Sequence, residues 1–577
     1  DILVCTPEKL DVIIRKKKVN RELVLYIMDE AHSIEEEKRG FKHELTLAMI
    51  RRDCPSAKFL LLTPYVSNGM EIARWLDPIA PGTIGLSIDW QPNDRIIGKF
   101  WAEKDNNPKD WSMRFESLAT SHPSLELDSV VRIGGSKPLN GRFSSIKNNF
   151  TSLASAMAVT TRVRGTALII SFTKPAAWSA ALKLKEVMPE NSDHDISNEI
   201  KSVIRFLNAE YGDDYELISL LKRGIAVHHS GLSEDARFLI EWLTEDTQIK
   251  VLCATTTIAQ GINFPVSSIL IASVKYPYGN PMKFREFWNL VGRAGRIGQP
   301  GVGLIGIATR SGSFDKDEAL INSYLRGAHR ELLSSLITLY TEAKKQSSGL
   351  DLHALAYLPT WSSFLQYLAH LYNQSDKDRL LGSQLELTLR DTFGYISLEK
   401  RNPEAARELL AAVRLYIDYL NQHPENAQLA ENTGFAPENA YRAMREIKNE
   451  NIHSSDWKPD KMFGVGDSTL RKLMGVMLRV PELEQLRDIA GSGLDNKKLA
   501  EMATEWVNGD SLRDMALKYF GGTERDELTK CCDAIYGKLI NNATWGLASL
   551  QKLSGLDFEN MDETERRLLN AMPAMIY

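Results

Sequence analysis

Three stretches of the sequence combine residue types and spacings suited to phosphoryl chemistry. The first, Tyr26-Ile-Met-Asp-Glu-Ala-His32, is an aliphatic run that ends in two adjacent carboxylates and a histidine. At the C-terminal end of a buried strand an aspartate can hold Mg²⁺, usually through water. The next carboxylate can then orient and deprotonate a water that attacks a γ-phosphate. Asp29 and Glu30 are the candidates for those two roles. The second stretch is Asn289-Leu-Val-Gly-Arg-Ala-Gly-Arg296. Arg293 and Arg296 stand three apart at an expected helix start, among glycines that permit close approach. Two guanidiniums so placed can clamp the charge that develops on a transferring phosphoryl group. The third, Val251-Leu-Cys-Ala-Thr-Thr-Thr-Ile-Ala-Gln-Gly-Ile-Asn263, runs from a buried strand into hydroxyls, an amide and a glycine. Thr255, Thr256 and Thr257 suit nucleic-acid phosphates, and Gln260, Gly261 and Asn263 suit communication with a nucleotide. A solvent-facing basic turn and an ordinary strand-to-helix turn are the plainer readings of the second and third stretches.

These residues need a scaffold, and the patterning supplies one. Up to about residue 325 short aliphatic runs alternate with amphipathic stretches: Ile2–Cys5, Leu23–Met28, Phe59–Leu62, Ala167–Phe172, Ile249–Cys253, Ile269–Val274 and Gly303–Ala308. Buried parallel strands linked by helices produce this pattern, so the expected class is α/β. Ser87–Gly98 reads as a linker followed by a strand, and the polar stretch Asn106–Gly141 as a loop-rich excursion. Beyond residue 326 the helical period takes over. Leu409, Leu410, Val413, Tyr416, Ile417 and Leu420 fall on one face of a helix over Glu404–Asn421, with similar periodicity at Ala328–Lys344 and Ala436–Lys448.

Composition narrows the function classes. The 577 residues carry a formal net charge of −5 and 25% charged residues, an ordinary globular balance, so a nucleic-acid site must be a local stripe. The five cysteines form no C-x-x-C pair, which argues against zinc and for reduced thiols in the cytoplasm. No apolar run is long enough to span a membrane, and no membrane partner is expected.

Taken in order, the three stretches resemble motifs II, V and VI of superfamily 2 helicases. Thr6-Pro-Glu-Lys9 resembles motif Ib, whose threonine contacts phosphates of the tracked strand, so Thr6 and Pro7 join the expected nucleic-acid contacts. Ser171-Phe-Thr173 resembles motif IV, which adds Ser171. Gly224-Ile-Ala-Val-His-His-Ser-Gly-Leu232 looks like a segment typical of the Ski-like branch, which includes archaeal fork-repair, splicing and RNA-exosome helicases. In that branch the segment lies near nucleic acid, which places His229 there; taken alone, a packed strand end is the plainer reading of the His228-His229 pair. His32 and Asn289 take ATP-facing positions by the same resemblance. The resemblance implies two RecA-like domains with ATP and Mg²⁺ in the cleft between them, Asp29 organising the metal through water. A winged-helix domain and a helical ratchet domain follow. The expected boundaries are 1–88, 89–325, 326–430 and 431–577.

Two further features follow from this alignment. Between motifs V and VI, Tyr276-Pro-Tyr-Gly-Asn-Pro281 could turn a β-hairpin that splits duplex, with Tyr276 or Tyr278 wedged at the terminal base pair. Stacking of that kind is worth ~1–3 kcal/mol per base. An ordinary packed hairpin is the competing reading. Arg442, Arg445 and Lys448 recur every three residues on a helix and could line a phosphate track as the ratchet helix does, although a solvated charged face is the default.

The sequence also departs from the family. No G-x-x-x-x-G-K-[ST] occurs in it, and Gly464-Val-Gly466 lacks a preceding strand. Relatives carry that loop well before motif Ib, so it is expected upstream of Asp1; a pseudo-helicase is the alternative. Where motif III usually reads S-A-T, Thr63-Pro64-Tyr65 stands, and Asn289 replaces the usual Gln or His. The expected activity is ATP-dependent 3′-to-5′ movement on DNA, with Arg296 the principal arginine finger. RNA is the second substrate choice, because 326–430 is too compact for the arch of RNA-exosome relatives. Two alternatives are a defence helicase of the Hachiman type that holds a nuclease partner, and an inactive nucleic-acid-binding remnant.

Overall fold

A strand that is aliphatic on both faces needs helices above and below it, and one that alternates needs only a single cover. Both kinds occur in the computed structural model. It describes residues 2–15, 23–36, 40–63, 66–77, 94–107, 110–192, 194–259, 266–295, 301–326, 334–346, 349–374, 386–387, 389–464, 468–556 and 561–577. The chain divides into two units. One comprises Asp1–Ser87, His329–Gly509 and Lys538–Tyr577, and the other Ile88–Ala328 and Asp510–Gly537.

In the first unit, β1 (Leu25–Met28) and β2 (Lys58–Leu61) pair in parallel, Tyr26 opposite Phe59. Tyr26 and Met28 point inward onto Leu47 and Ile50 of the helix Gly40–Asp53 and Trp75 of the helix Gly69–Leu76, while Leu25 and Ile27 face outward. Trp75 Nε1–H donates to the Asp391 carbonyl at 2.6 Å, so this α/β layer is fastened to the helical part of the same unit. The run Ile2–Cys5, expected as a buried strand, is not one. It pairs with no strand among the described residues, and Ile2 and Val4 are about nine-tenths exposed. Apolar composition alone does not make a strand without a neighbour for its amides and carbonyls. The helix expected after it does form, over Pro7–Arg15.

The helical part follows its periodicity. The stretch expected at Glu404–Asn421 is the helix Pro403–Gln422. Its Leu409, Val413, Tyr416 and Leu420 pack with Trp361 and Phe364 of the helix Pro359–Gln374 in one core. The third amphipathic stretch is the helix Pro437–Asn449. No helix among the described residues is long and apolar enough to cross a membrane.

The second unit is built on eight strands: β3 (Arg95–Lys104), β4 (Trp111–Thr120), β5 (Val131–Ile133), β6 (Ala167–Ser171), β7 (Ile225–His228), β8 (Val251–Thr255), β9 (Ser268–Ile271) and β10 (Gly303–Ala308). Their order is β5-β4-β3-β10-β9-β6-β8-β7, parallel from β3 through β7, with β4 and β5 added antiparallel. The five runs β6 to β10, the edge strand β7 included, are buried at every position, as helices on both faces of the sheet require. The expected loop-rich excursion over Asn106–Gly141 is instead the β4–β5 meander. Trp111, Met113 and Phe115 alternate inward along β4, a period-2 signal that the surrounding Ser, Pro and Gly obscure. Two helices from far along the chain, Leu512–Phe520 and Arg525–Ala534, belong to this unit. They attach through Arg513 to Asp214, Arg525 to Glu216 at 3.2 Å, and Lys174 to Asp533 at 2.8 Å.

Candidate nucleotide and nucleic-acid sites

In the first unit the chain turns sharply as β1 ends. Asp29 is exposed, and its Oδ1 accepts the Glu30 amide at 2.8 Å. Glu30 adopts φ 50°, ψ 44°, a left-handed conformation that costs an L residue about 1–3 kcal/mol. The turn directs its carboxylate to His32, 3.1 Å away, and the 3₁₀ helix Ala31–Glu35 follows. The Ala31 amide donates to Leu62 O and the Leu62 amide to Met28 O, both at 2.9 Å, so the ends of β1 and β2 are held together. Thr63 follows Leu62 at this end of the paired strands. Its Oγ1 is buried without a hydrogen-bond partner among the described residues. Pro64 and Tyr65 lie outside the described residues.

The residues present fit a Mg²⁺ held mainly by water and phosphate. That ion keeps several waters and takes one or two carboxylates, and Asp29 presents one at a strand end. Sequence reasoning missed a support beneath this turn: Ser33 Oγ lies 2.9 Å from Nδ1 of the buried His43. Ten residues separate the pair, and only the fold brings them together. Thr6 is exposed, its Oγ1 accepting the Lys9 amide at 3.3 Å, with Pro7 opening the helix behind it.

In the second unit Ser171 and Thr255 end neighbouring parallel strands, so both stand on the C-terminal rim of the sheet. Ser171 Oγ is buried without a hydrogen-bond partner among the described residues. Thr256 reaches the Tyr276 hydroxyl at 3.4 Å, and that hydroxyl donates to Glu286 at 3.1 Å. The Tyr276 ring packs 4.1 Å from Phe172. Tyr276 thus ties three motif-bearing segments together. Tyr278 does the opposite: it is fully exposed, at φ 73°, on a turn closed by the Tyr276 amide donating to Asn280 O at 2.7 Å. Asn289 is half-buried on the helix Phe284–Val291, and Arg293, just past its end, is buried. Gly295 follows at φ 71°, where a Cβ would meet the Gly303 amide nitrogen at 2.8 Å and Asp94 O at 2.9 Å; only glycine fits. Gln260, Gly261, Asn263 and Arg296 lie outside the described residues, as does the side chain of Thr257.

His229 is placed differently from the expectation of a nucleic-acid contact. Its ring is fully buried, Nε2 accepting from Trp178 Nε1–H at 2.8 Å while the Gly231 amide points at Nδ1 from 3.0 Å. Burial pushes its pKa down to about 3, helped by the nearby Lys174 ammonium. The imidazole is a neutral packing element, and touching a phosphate would require the segment to open. His228 is also buried, and its Nε2 lies 2.7 Å from Glu241.

On the helix Pro437–Asn449 of the first unit, Arg445 and Lys448 are exposed and the Arg442 guanidinium lies 4.5 Å over the Tyr357 ring. Tyr357, from a distant turn, is another residue that no local signal identifies.

Residues 191–298 match the helicase conserved C-terminal domain family. The ATP-dependent DNA helicase Hel308 of Thermoplasma acidophilum is 26% identical over 439 residues, 74% of this chain and 55% of the relative. The Hachiman protein HamB of Bacillus cereus is 25% identical over 395 residues, 66% of this chain and 34% of the relative. The Hel308 of Caldivirga maquilingensis is 23% identical over 575 residues, 96% and 69% of the two chains. The chain therefore spans about half of the first relative and a third of the second. The matched domain and these similarities agree: the chain is similar to the Hel308 ATP-dependent DNA helicases and to the Hachiman protein HamB.

Proposed function

We propose that this chain carries motor machinery of an ATP-dependent helicase or translocase that moves 3′ to 5′ on DNA in the cytoplasm. The observation that carries the reading is the turn after β1: exposed Asp29, then Glu30 held in a left-handed conformation with its carboxylate against His32. Such a turn presents one carboxylate to a metal and the next to a water. DNA is favoured over RNA because two similar proteins are named as DNA helicases.

In this reading bound ATP supplies the phosphoryl group and Mg²⁺ neutralises its charge. Asp29 would hold Mg²⁺ through water, and Glu30 would take a proton from the attacking water. Arg296 and Arg293 hold positive charge against the transferring group, and Asn289, Gln260, Gly261 and Asn263 contact the nucleotide. Thr6, Pro7, Ser171 and Thr255 to Thr257 hold phosphates of the tracked strand, while Arg442 and Arg445 guide it beyond. Tyr278, at the tip of its turn, stacks on the terminal base pair. Strand displacement on matched DNA and RNA duplexes by the full-length protein tests the reading. ATP-driven displacement of DNA supports it, and loss of neither duplex removes it.

Similarity to HamB favours a second reading, in which the motor controls a partner nuclease within a defence system. Co-purification of a separate nuclease subunit from the native host supports this reading, and a motor that purifies alone under native expression opposes it.

A further inference from the structure

The second unit carries a cationic cluster that the motor motifs do not use. β3 and β10 are parallel neighbours in the same sheet as β6 and β8, so their C-terminal ends open on the rim that bears Ser171 and Thr255. Lys104 ends β3, and Arg310 stands two residues past the end of β10. The Lys104 ammonium lies 5.8 Å over the Phe143 ring, and the Arg310 guanidinium 5.3 Å over Phe150. The two rings begin successive helices, Phe143–Lys147 and Phe150–Thr161. Arg142 precedes the first of these helices and Lys147 ends it.

None of these four cations has a carboxylate partner among the described residues. A cation over a ring is held in place, yet it keeps its charge. The acids on either side of Lys104 in sequence are engaged elsewhere: Glu103 and Asp105 bind Arg114 at 2.8 and 3.5 Å. Glu103 points to the opposite side of the sheet from Lys104, because side chains alternate along β3. The flanking segments 139–152 and 309–314 contain no Asp or Glu, and Ser144, Ser145, Asn148 and Asn149 are exposed among the cations. In a chain of formal net charge −5, this is a local field of the opposite sign.

We propose that this shoulder is a second contact for single-stranded nucleic acid, with Lys104, Arg142, Lys147 and Arg310 on its phosphates. Three strand steps separate β6 from β3, about 14 Å at ~4.8 Å per step, a span that a few extended nucleotides cover. Hydroxyls and amides beside aromatic-backed cations suit a sugar-phosphate chain better than an apolar protein surface. The proposal rests on the motor reading, since it extends the strand held at Ser171 and Thr255.

The test uses full-length protein without nucleotide, titrated with a short fluorescent oligothymidylate and one several times longer. In the double variant Lys104→Gln/Arg310→Gln, affinity for the long oligonucleotide falls about tenfold, and its salt slope drops by about 1.4, at ~0.7 per phosphate. The short oligonucleotide binds as before. Arg310→Lys largely retains the slope, which a purely structural role would not predict. Unchanged affinity and slope for the long oligonucleotide overturn the proposal, and so does an equal loss for both lengths. If the unmodified protein binds neither oligonucleotide, the motor reading fails as well, an outcome distinct from failure of the shoulder alone.

Discussion

The His32 imidazole lies 3.1 Å from the Glu30 carboxylate, two residues away across a left-handed turn. That contact fixes the carboxylate's direction from within its own loop. Strain in the backbone and order in the side chain occur at the same residue.

Glu30→Gln keeps the shape and removes the proton acceptor. Nucleic-acid-stimulated ATP hydrolysis by the full-length protein falls by ~10² or more, while oligonucleotide affinity stays within about twofold. Normal turnover in this variant would remove Glu30 from the role of base.

The two arginines of the second stretch separate by a melting curve. Arg296→Ala lowers turnover by ~10³ or more if it is the finger. Arg293 is buried. Arg293→Ala therefore lowers the thermal midpoint as well as turnover, by ~1–3 kcal/mol of stability. A variant of Arg293 that melts normally would contradict its burial.

Tyr276 and Tyr278 are two residues apart, and their expected effects differ. Tyr278 is fully exposed, so Tyr278→Ala leaves the thermal midpoint unchanged and lowers unwinding several-fold at constant ATPase rate. Tyr276→Ala loses the Phe172 contact and the hydrogen bond to Glu286, and costs ~1–3 kcal/mol of stability. Unwinding unaffected by Tyr278→Ala would exclude the wedge.

Much of this was legible in the sequence for a simple reason. Uniform aliphatic runs such as Ala167–Ser171 and a strict helical face such as Leu409–Leu420 encode their burial locally. The misses share a cause too. Ile2–Cys5 has strand composition but no pairing neighbour among the described residues, and β4 hides its alternation within polar flanks. His229 matched a family segment, yet Trp178, fifty-one residues earlier, claims its ring. Contacts of that range leave no trace in spacing.

Glu210 gives the second unit a pH dependence. Burial pushes its pKa up to about 7, against hydrogen bonds from Ser233 at 2.9 Å and Tyr536 at 3.0 Å that pull the other way. A carboxyl with a raised pKa binds its proton more tightly folded than unfolded. Its contribution is therefore complete below about pH 4.5 and is lost as pH rises to about 7. Glu210→Gln flattens this loss, so the variant gains thermal stability relative to the unmodified protein at pH 8 but not at pH 4. A constant difference across that range would rule out Glu210 as the titrating group.

The assignment of residues 510–537 to the second unit, with 538–577 returning to the first, means that the backbone passes between the units four times. The two units are thus joined covalently at four points in the sequence. A single proteolytic nick at any crossing leaves three covalent ties, and no one cut releases either unit. Gene fragments ended between the motor strands and the C-terminal helices would strip pieces from both units at once.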